Sequence, residues 1–107
     1  MSLYVVKLQH TSEACPTANS KTRERAIKGA PEMSKLAQKL GIKFVAGPLV
    51  LGSTHESLAV VDADRIETVE EFILQAGLMQ WNTVHVYAAK SLEESMKDLE
   101  RVPPPLY

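Results

Sequence analysis

Three side chains able to bind a metal or activate a nucleophile stand in turn-like stretches of this sequence. His10 and Cys15 share the segment HTSEACP, and His55 opens HESLAVVDA. Two imidazoles and one thiolate form a donor set suited to zinc, copper or another transition metal, with Glu13, Glu56 or water as a fourth ligand. The step from His10 to Cys15 matches no structural zinc motif, in which four ligands come in close pairs. The same residues suit a second chemistry, with Cys15 as nucleophile or redox thiol and His10 or His55 as the base that activates it. A third reading is inert: a lone cysteine packs as a small hydrophobe, and loop histidines satisfy backbone groups.

A second candidate set centres on His85, with Thr83, Tyr87 and Lys7 as companions. A neutral His85 imidazole would take a proton from an activated carbon while Lys7 or Tyr87 steadies the oxyanion that develops. The alternative is that these groups hydrogen-bond across a subunit interface. Trp81 and Asn82 are candidate ligand-binding residues. Met33, Met79 and Met96 join Trp81 as candidates to line an apolar pocket, although Met33 and Met96 also fall at core spacing on helices. Glu70 with Glu71, and Glu93 with Glu94, are adjacent on helices and diverge into a solvated acidic face. No GxGxxG or GxxxxGK(S/T) pattern supplies a nucleotide loop.

The elements that must position these residues follow from periodicity. Leu3 to Gln9 (LYVVKLQ) reads as a strand, and Thr11 to Ser20, rich in turn formers and holding Pro16, reads as a loop. Ala26, Ile27, Ala30, Met33, Ala37 and Leu40 recur at helical spacing, with Ser20 or Thr22 as the cap, Gly41 as the stop, and a kink or break expected at Gly29 and Pro31. Ile42 to Leu51 reads as a strand in which Gly47 and Pro48 predict a bulge at a sheet edge. It forms a hairpin with His55 to Ala63. Asp64 with Glu67 resembles a capping pair for a helix through Val69, Phe72, Ile73 and Ala76, stopped by Gly77. Trp81 to Ala89 is the fourth strand. Ser91 with Glu94 caps a short helix marked by Leu92, Met96 and Leu99, and Pro103 to Pro105 begin an extended tail.

The order βαββαβ plus a C-terminal helix predicts one α+β domain over residues 1–107, with a ferredoxin-like core at 3–89 and the helix and tail at 91–107. Right-handed crossovers put both helices on one sheet face, taken by Tyr4, Val6, Leu8, Val84 and Val86. Val5, Lys7, Gln9, Trp81, Thr83, His85 and Tyr87 are left on an open face able to meet a partner subunit. In an antiparallel sheet of order 4-1-3-2, His10, His55 and the pair Trp81 and Asn82 converge on one rim. Cys15 sits in the loop leaving that rim, where the positive end of the first helix lowers its pKa.

Composition bounds the class. The 107 residues are 45% hydrophobic and 23% charged with a net charge of -1, enough for a core and unlike a disordered polyelectrolyte. Lys21 to Lys43 carries seven basic and two acidic residues, whereas Glu56 to Glu100 carries three basic and ten acidic ones. A basic helix beside an acidic one explains this better than nucleic-acid binding, because Phe44 is the nearest aromatic residue to the basic run. No apolar stretch is long enough to span a membrane, and no signal segment opens the chain. With one cysteine, the expected compartment is a reducing cytoplasm.

With these elements in place the chain, from Leu3 to Ala89, resembles the dimeric α+β barrel superfamily, in which two ferredoxin-like sheets face each other across a twofold axis. HTSEACP at 10–16 and STHESLAVVDAD at 53–64 are similar to those of a small prokaryotic group of uncharacterised domains. The superfamily includes muconolactone isomerase, cofactor-free monooxygenases, haem enzymes and stress-responsive barrels, so the resemblance implies a pocket and a homodimer without naming the chemistry. Other users of the topology fit less well. An RNA recognition motif needs aromatic strand segments, and the corresponding strands offer Tyr4 alone. A heavy-metal domain needs a CxxC loop where this chain has only Cys15, and an acylphosphatase needs a phosphate loop that HTSEACPT lacks. The expected function is therefore a small-molecule- or metal-binding homodimer, an enzyme if the His/Cys rim is reactive, or otherwise a non-catalytic interaction or sensor module.

Overall fold

The computed structural model describes residues 2–105. Met1 and the last two residues of the expected tail, 106 and 107, lie outside the described residues. Alternation in LYVVKLQ sends Tyr4, Val6 and Leu8 to one side of β1 (Ser2–Gln9), where Tyr4 is buried and Val6 and Leu8 pack against the core. The odd-numbered residues Val5, Lys7 and Gln9 take the opposite side. β1 lies in the middle of the sheet. It pairs antiparallel with β3 (Glu56–Ala63) on one edge and β4 (Thr83–Ala89) on the other, and β2 (Lys43–Leu51) completes the order β2-β3-β1-β4. This is the expected ferredoxin-like arrangement.

The first helix, α1 (Ser20–Leu40), is capped by Asn19, whose side chain accepts from the Thr22 backbone N–H, and not by Ser20 or Thr22 as expected. An Asx residue just before the first turn satisfies one of the orphan donors there. Of the kink or break expected at Gly29 and Pro31, the break does not occur: the helix runs continuously through Pro31. Proline removes a single backbone donor, and the remaining bonds of a 21-residue helix carry the chain across. Gly41 ends it in the left-handed region at φ 75°. There the Ile42 N–H returns to the Ala37 carbonyl at 2.8 Å.

β2 is an edge strand, as predicted, and its pairing with β3 slips between Phe44 and Ala46 and again between Ala46 and Leu49. Gly47, at φ 80°, sits in this bulge, where a β-carbon would lie 2.7 Å from the Leu58 carbonyl oxygen. After β3, α2 (Ile66–Gln75) buries Val69, Phe72 and Ile73 against the sheet. Each such side chain contributes about 1.5–3 kcal/mol. Asp64 does not cap α2: the cap residue is Arg65, and the Asp64 carboxylate instead accepts from the Thr68 hydroxyl. α3 (Leu92–Leu99) is capped as expected by Ser91, whose hydroxyl accepts from the Glu94 N–H.

One further expectation is corrected, and another holds in part. The basic α1 lies beside the acidic α2 as expected, although no ion pair joins them among the described residues. Lys28 pairs with Glu24 and Lys35 with Glu32 within α1, and Arg25 donates to the Gln80 side chain. Long exposed side chains one turn apart reach each other at less entropic cost than across two helices. Met96, read as a core position, is 54% exposed, because α3 stands away from the sheet with Leu92 and Leu99 also in solvent. No helix among the described residues is long and apolar enough to cross a membrane.

Candidate metal centre

β1 ends at Gln9, and the next residue, His10, donates its backbone N–H to the carbonyl of His55 at 3.0 Å. Residues distant in sequence are thereby joined at the sheet rim. His55 follows the 3₁₀ turn Gly52–Thr54 and adopts the left-handed region at φ 55°. That conformation is uncommon for a residue with a side chain, although histidine tolerates it better than most, and it is often found at functional positions. Between His10 and α1 the chain winds into turns closed by Cys15 N–H to the Ser12 carbonyl at 3.3 Å, and by Ala18 and Asn19 N–H groups to the Cys15 carbonyl at 2.9 and 2.8 Å. The start of α1 fastens this loop. Arg23 donates Nε to the Pro16 carbonyl at 2.8 Å and Nη2 to the Thr17 carbonyl at 3.2 Å, while Asn19 Nδ2 donates to the Glu13 carbonyl at 3.3 Å.

The result gathers His10, Cys15 and His55, each offering one ligating atom within 4.8 Å of the others. The two imidazole rings meet edge-on, with centroids 5.5 Å apart and planes at 66°. Cys15 is buried at 7% exposure. His10 Nε2 and His55 Nδ1 are buried as well, and neither has a hydrogen-bond partner. Buried ring nitrogens without partners are costly unless something is bound to them. The Cys15 thiol is held down to about 6 from an ordinary 9.0. The largest cause is the Thr17 hydroxyl, 3.0 Å from Sγ, followed by the Thr17 backbone N–H and then His10, with burial opposing them and His55 adding a smaller push. The positive end of the first helix, expected to lower this value, begins five residues further on at Ser20.

The other candidate residues divide between the rim and the open face. Trp81 is not in β4, contrary to expectation. A left-handed Gly77 at φ 69° and the 3₁₀ turn Leu78–Gln80 place it in a bend, where its ring lies 5.3 Å from that of His10. Asn82 does not reach the cluster with its side chain, which donates to the Leu78 carbonyl at 3.0 Å and closes that bend. Both residues border an open cleft of about 490 Å³ that also touches His10. Glu56 is not a fourth ligand, since it pairs with Lys7 at 2.8 Å. That pair holds the Glu56 carboxyl below its ordinary value and Lys7 above its own, in both cases chiefly through the hydrogen bond between them. Glu13, the other expected fourth ligand, is exposed and joins the loop through its backbone carbonyl.

His85, Lys7, Thr83 and Tyr87 lie on the sheet face away from the helices, as expected. His85 is opposite Lys7 in the strand register, and its ring stacks on Tyr87 at 6.1 Å and 15°. They form a polar patch apart from the His/Cys rim. Thr17, Asn19 and Arg23 support the loop around the cluster and were not singled out by residue type and spacing. The signal for Asn19 was its type, a preferred cap immediately before Ser20; Thr17 and Arg23 act through loop hydrogen bonds that leave no periodic trace.

In comparisons with known proteins, no family model and no curated protein matches this chain. The site is therefore read from its donor set and geometry.

Proposed function

We propose that this protein binds one transition-metal ion, zinc or copper, through His10, Cys15 and His55, and works as a homodimer joined through the open sheet face. The observation that carries the metal reading is the pair of buried, partnerless ring nitrogens, His10 Nε2 and His55 Nδ1, beside a thiol already biased toward thiolate. Two imidazoles and a thiolate satisfy three positions of a tetrahedral shell, in which metal–nitrogen bonds run about 2.0–2.1 Å and metal–sulfur about 2.3 Å. Ligating atoms within 4.8 Å of one another need only small side-chain rotations to close on such an ion. Three protein ligands with a fourth position open to the cleft are the arrangement of sites that act on a bound molecule, where the metal serves as a Lewis acid or activates water. The Thr17 hydroxyl touches the thiolate and orients it, and Arg23 holds the loop that carries both.

The dimer reading is supported by the open face, where Val5 pairs with both Val60 and Tyr87 in an apolar strip that the helices do not cover. The metal reading is tested by titrating cobalt(II) into metal-free protein. The expected result is the intense visible absorption of a four-coordinate ion, with a thiolate charge-transfer band that Cys15→Ser removes. A spectrum unchanged from the aqueous ion would overturn it.

A further inference from the structure

We propose that the cavity between α1 and the sheet is a binding site for an uncharged apolar molecule of one or two rings. Trp81 places that molecule next to the His/Cys centre. The cavity holds about 450 Å³, within the size range of small-molecule pockets, and is open to solvent along Ala30, Ser34 and Pro48.

The sequence builds this space directly. α1 turns Ala26, Ala30 and Ser34 toward it, one small side chain per turn, where a filled core would place leucine. Phe44 and Phe72 meet edge-on at 6.1 Å on the opposite wall. Val69, 1% exposed, is part of the lining, so the space reaches into the core. Val50, 80% exposed, also lines the cavity, which therefore opens to solvent beside β2.

The lining selects the ligand class. No charged side chain contributes to it, although 23% of the chain is charged. An ionic ligand would lose its hydration there without compensation. The polar side chains on the wall are the Ser34 and Ser57 hydroxyls and the Trp81 indole, enough to orient one polar substituent. Trp81 belongs to both sites, lining the cavity while its ring lies 5.3 Å from His10. Naming this molecule as what the metal meets rests on the metal reading, whereas the cavity's occupancy does not.

N-phenyl-1-naphthylamine, uncharged and fluorescent in apolar surroundings, is the probe. Titrated into the full chain, it is expected to bind saturably at one per chain and to accept excitation energy from Trp81, the only tryptophan. Ala30→Phe and Ser34→Leu each fill the cavity and should weaken probe binding about tenfold or more, with helical circular dichroism and metal content unchanged. Having two variants guards against one that fails to fold. His10→Ala should lose the metal yet keep the probe, which separates a failure of this inference from a failure of the metal reading. Absence of saturable binding, or equal binding by both filled variants, would overturn the proposal. So would binding seen only after Leu92→Asp and Leu99→Asp dissociate the protein, because the cavity would then hold the α3 of a second copy.

Discussion

Cys15 and Thr17 set the reactivity of the rim. With the thiol held at about 6, metal-free protein should be alkylated by iodoacetamide with a half-maximal rate near that pH, and Thr17→Val should move the midpoint upward, since the Thr17 hydroxyl is the largest cause of the shift. A midpoint at the ordinary thiol value in the unmodified sequence would contradict this. The same shift bears on stability. The folded value lies below the unfolded one, so between about 6 and 9.0 the unfolded chain binds more protons and stability rises with pH; the gain is lost as pH falls through about 6. Urea unfolding of metal-free protein and of Cys15→Ser across this window should show a difference that grows with pH. His10 and His55 were legible as neighbours because one follows the end of β1 and the other precedes the start of β3, and strand order brings those ends together, while Cys15 was placed by the loop that leaves the same rim. The cause of the thiol shift was not legible, because it depends on turn geometry that the types in TSEACPT do not specify.

At the scale of elements, the bulge in β2 and the cap of α1 rest on glycine for different reasons. Gly41, at φ 75°, has no atom within 4 Å of the position a β-carbon would take, so Gly41→Ala costs only the strain of the left-handed backbone, about 1–2 kcal/mol. Gly47 combines φ 80° with a position where an added β-carbon would lie 2.7 and 2.9 Å from the backbone of Leu58 and Leu49. Gly47→Ala should therefore cost more, about 3–4 kcal/mol, and loosen the β2 wall of the cavity. Urea midpoints of the two variants check the order, and equal losses would contradict it. Strands and helices were readable because period 2 and period 3.6 impose themselves on apolar residues, and Gly47 with Pro48 announced the edge. Trp81 was misplaced because WNTVHVYAA alternates well enough to extend the strand, while the left-handed Gly77 upstream folds its first two residues into a bend. Asp64 misled in a similar way, since a carboxylate three residues before Glu67 has the pattern of a cap but here serves the Thr68 hydroxyl.

For the whole molecule, the radius of gyration is 16.8 Å with a longest extent of 58 Å, whereas a compact chain of this length has a radius near about 13 Å. α3 stands off the sheet with Leu92, Met96 and Leu99 exposed along one face, and β2 leaves Val45, Leu49 and Val50 exposed at the sheet edge. Lys90 and Arg101 both bind Asp98 and stabilise that helix locally. Together with the uncovered Val5, Val60 and Tyr87 strip, this shape predicts a dimer mass in light scattering at micromolar concentration, and a monomer mass for the Val5→Asp, Tyr87→Asp double variant. A monomer without substitution would contradict the dimer. The βαββαβ order was legible at this scale, but the stance of α3 was not, because an amphipathic stripe says that a helix must pack without saying against which chain. The metal centre is tested most simply by elemental mass spectrometry of protein purified without a histidine tag. One zinc or copper per chain is expected, lost in His10→Ala, Cys15→Ser and His55→Ala and retained in His85→Ala. Protein without bound metal, or with metal that survives all three rim substitutions, would contradict a metal site at His10, Cys15 and His55.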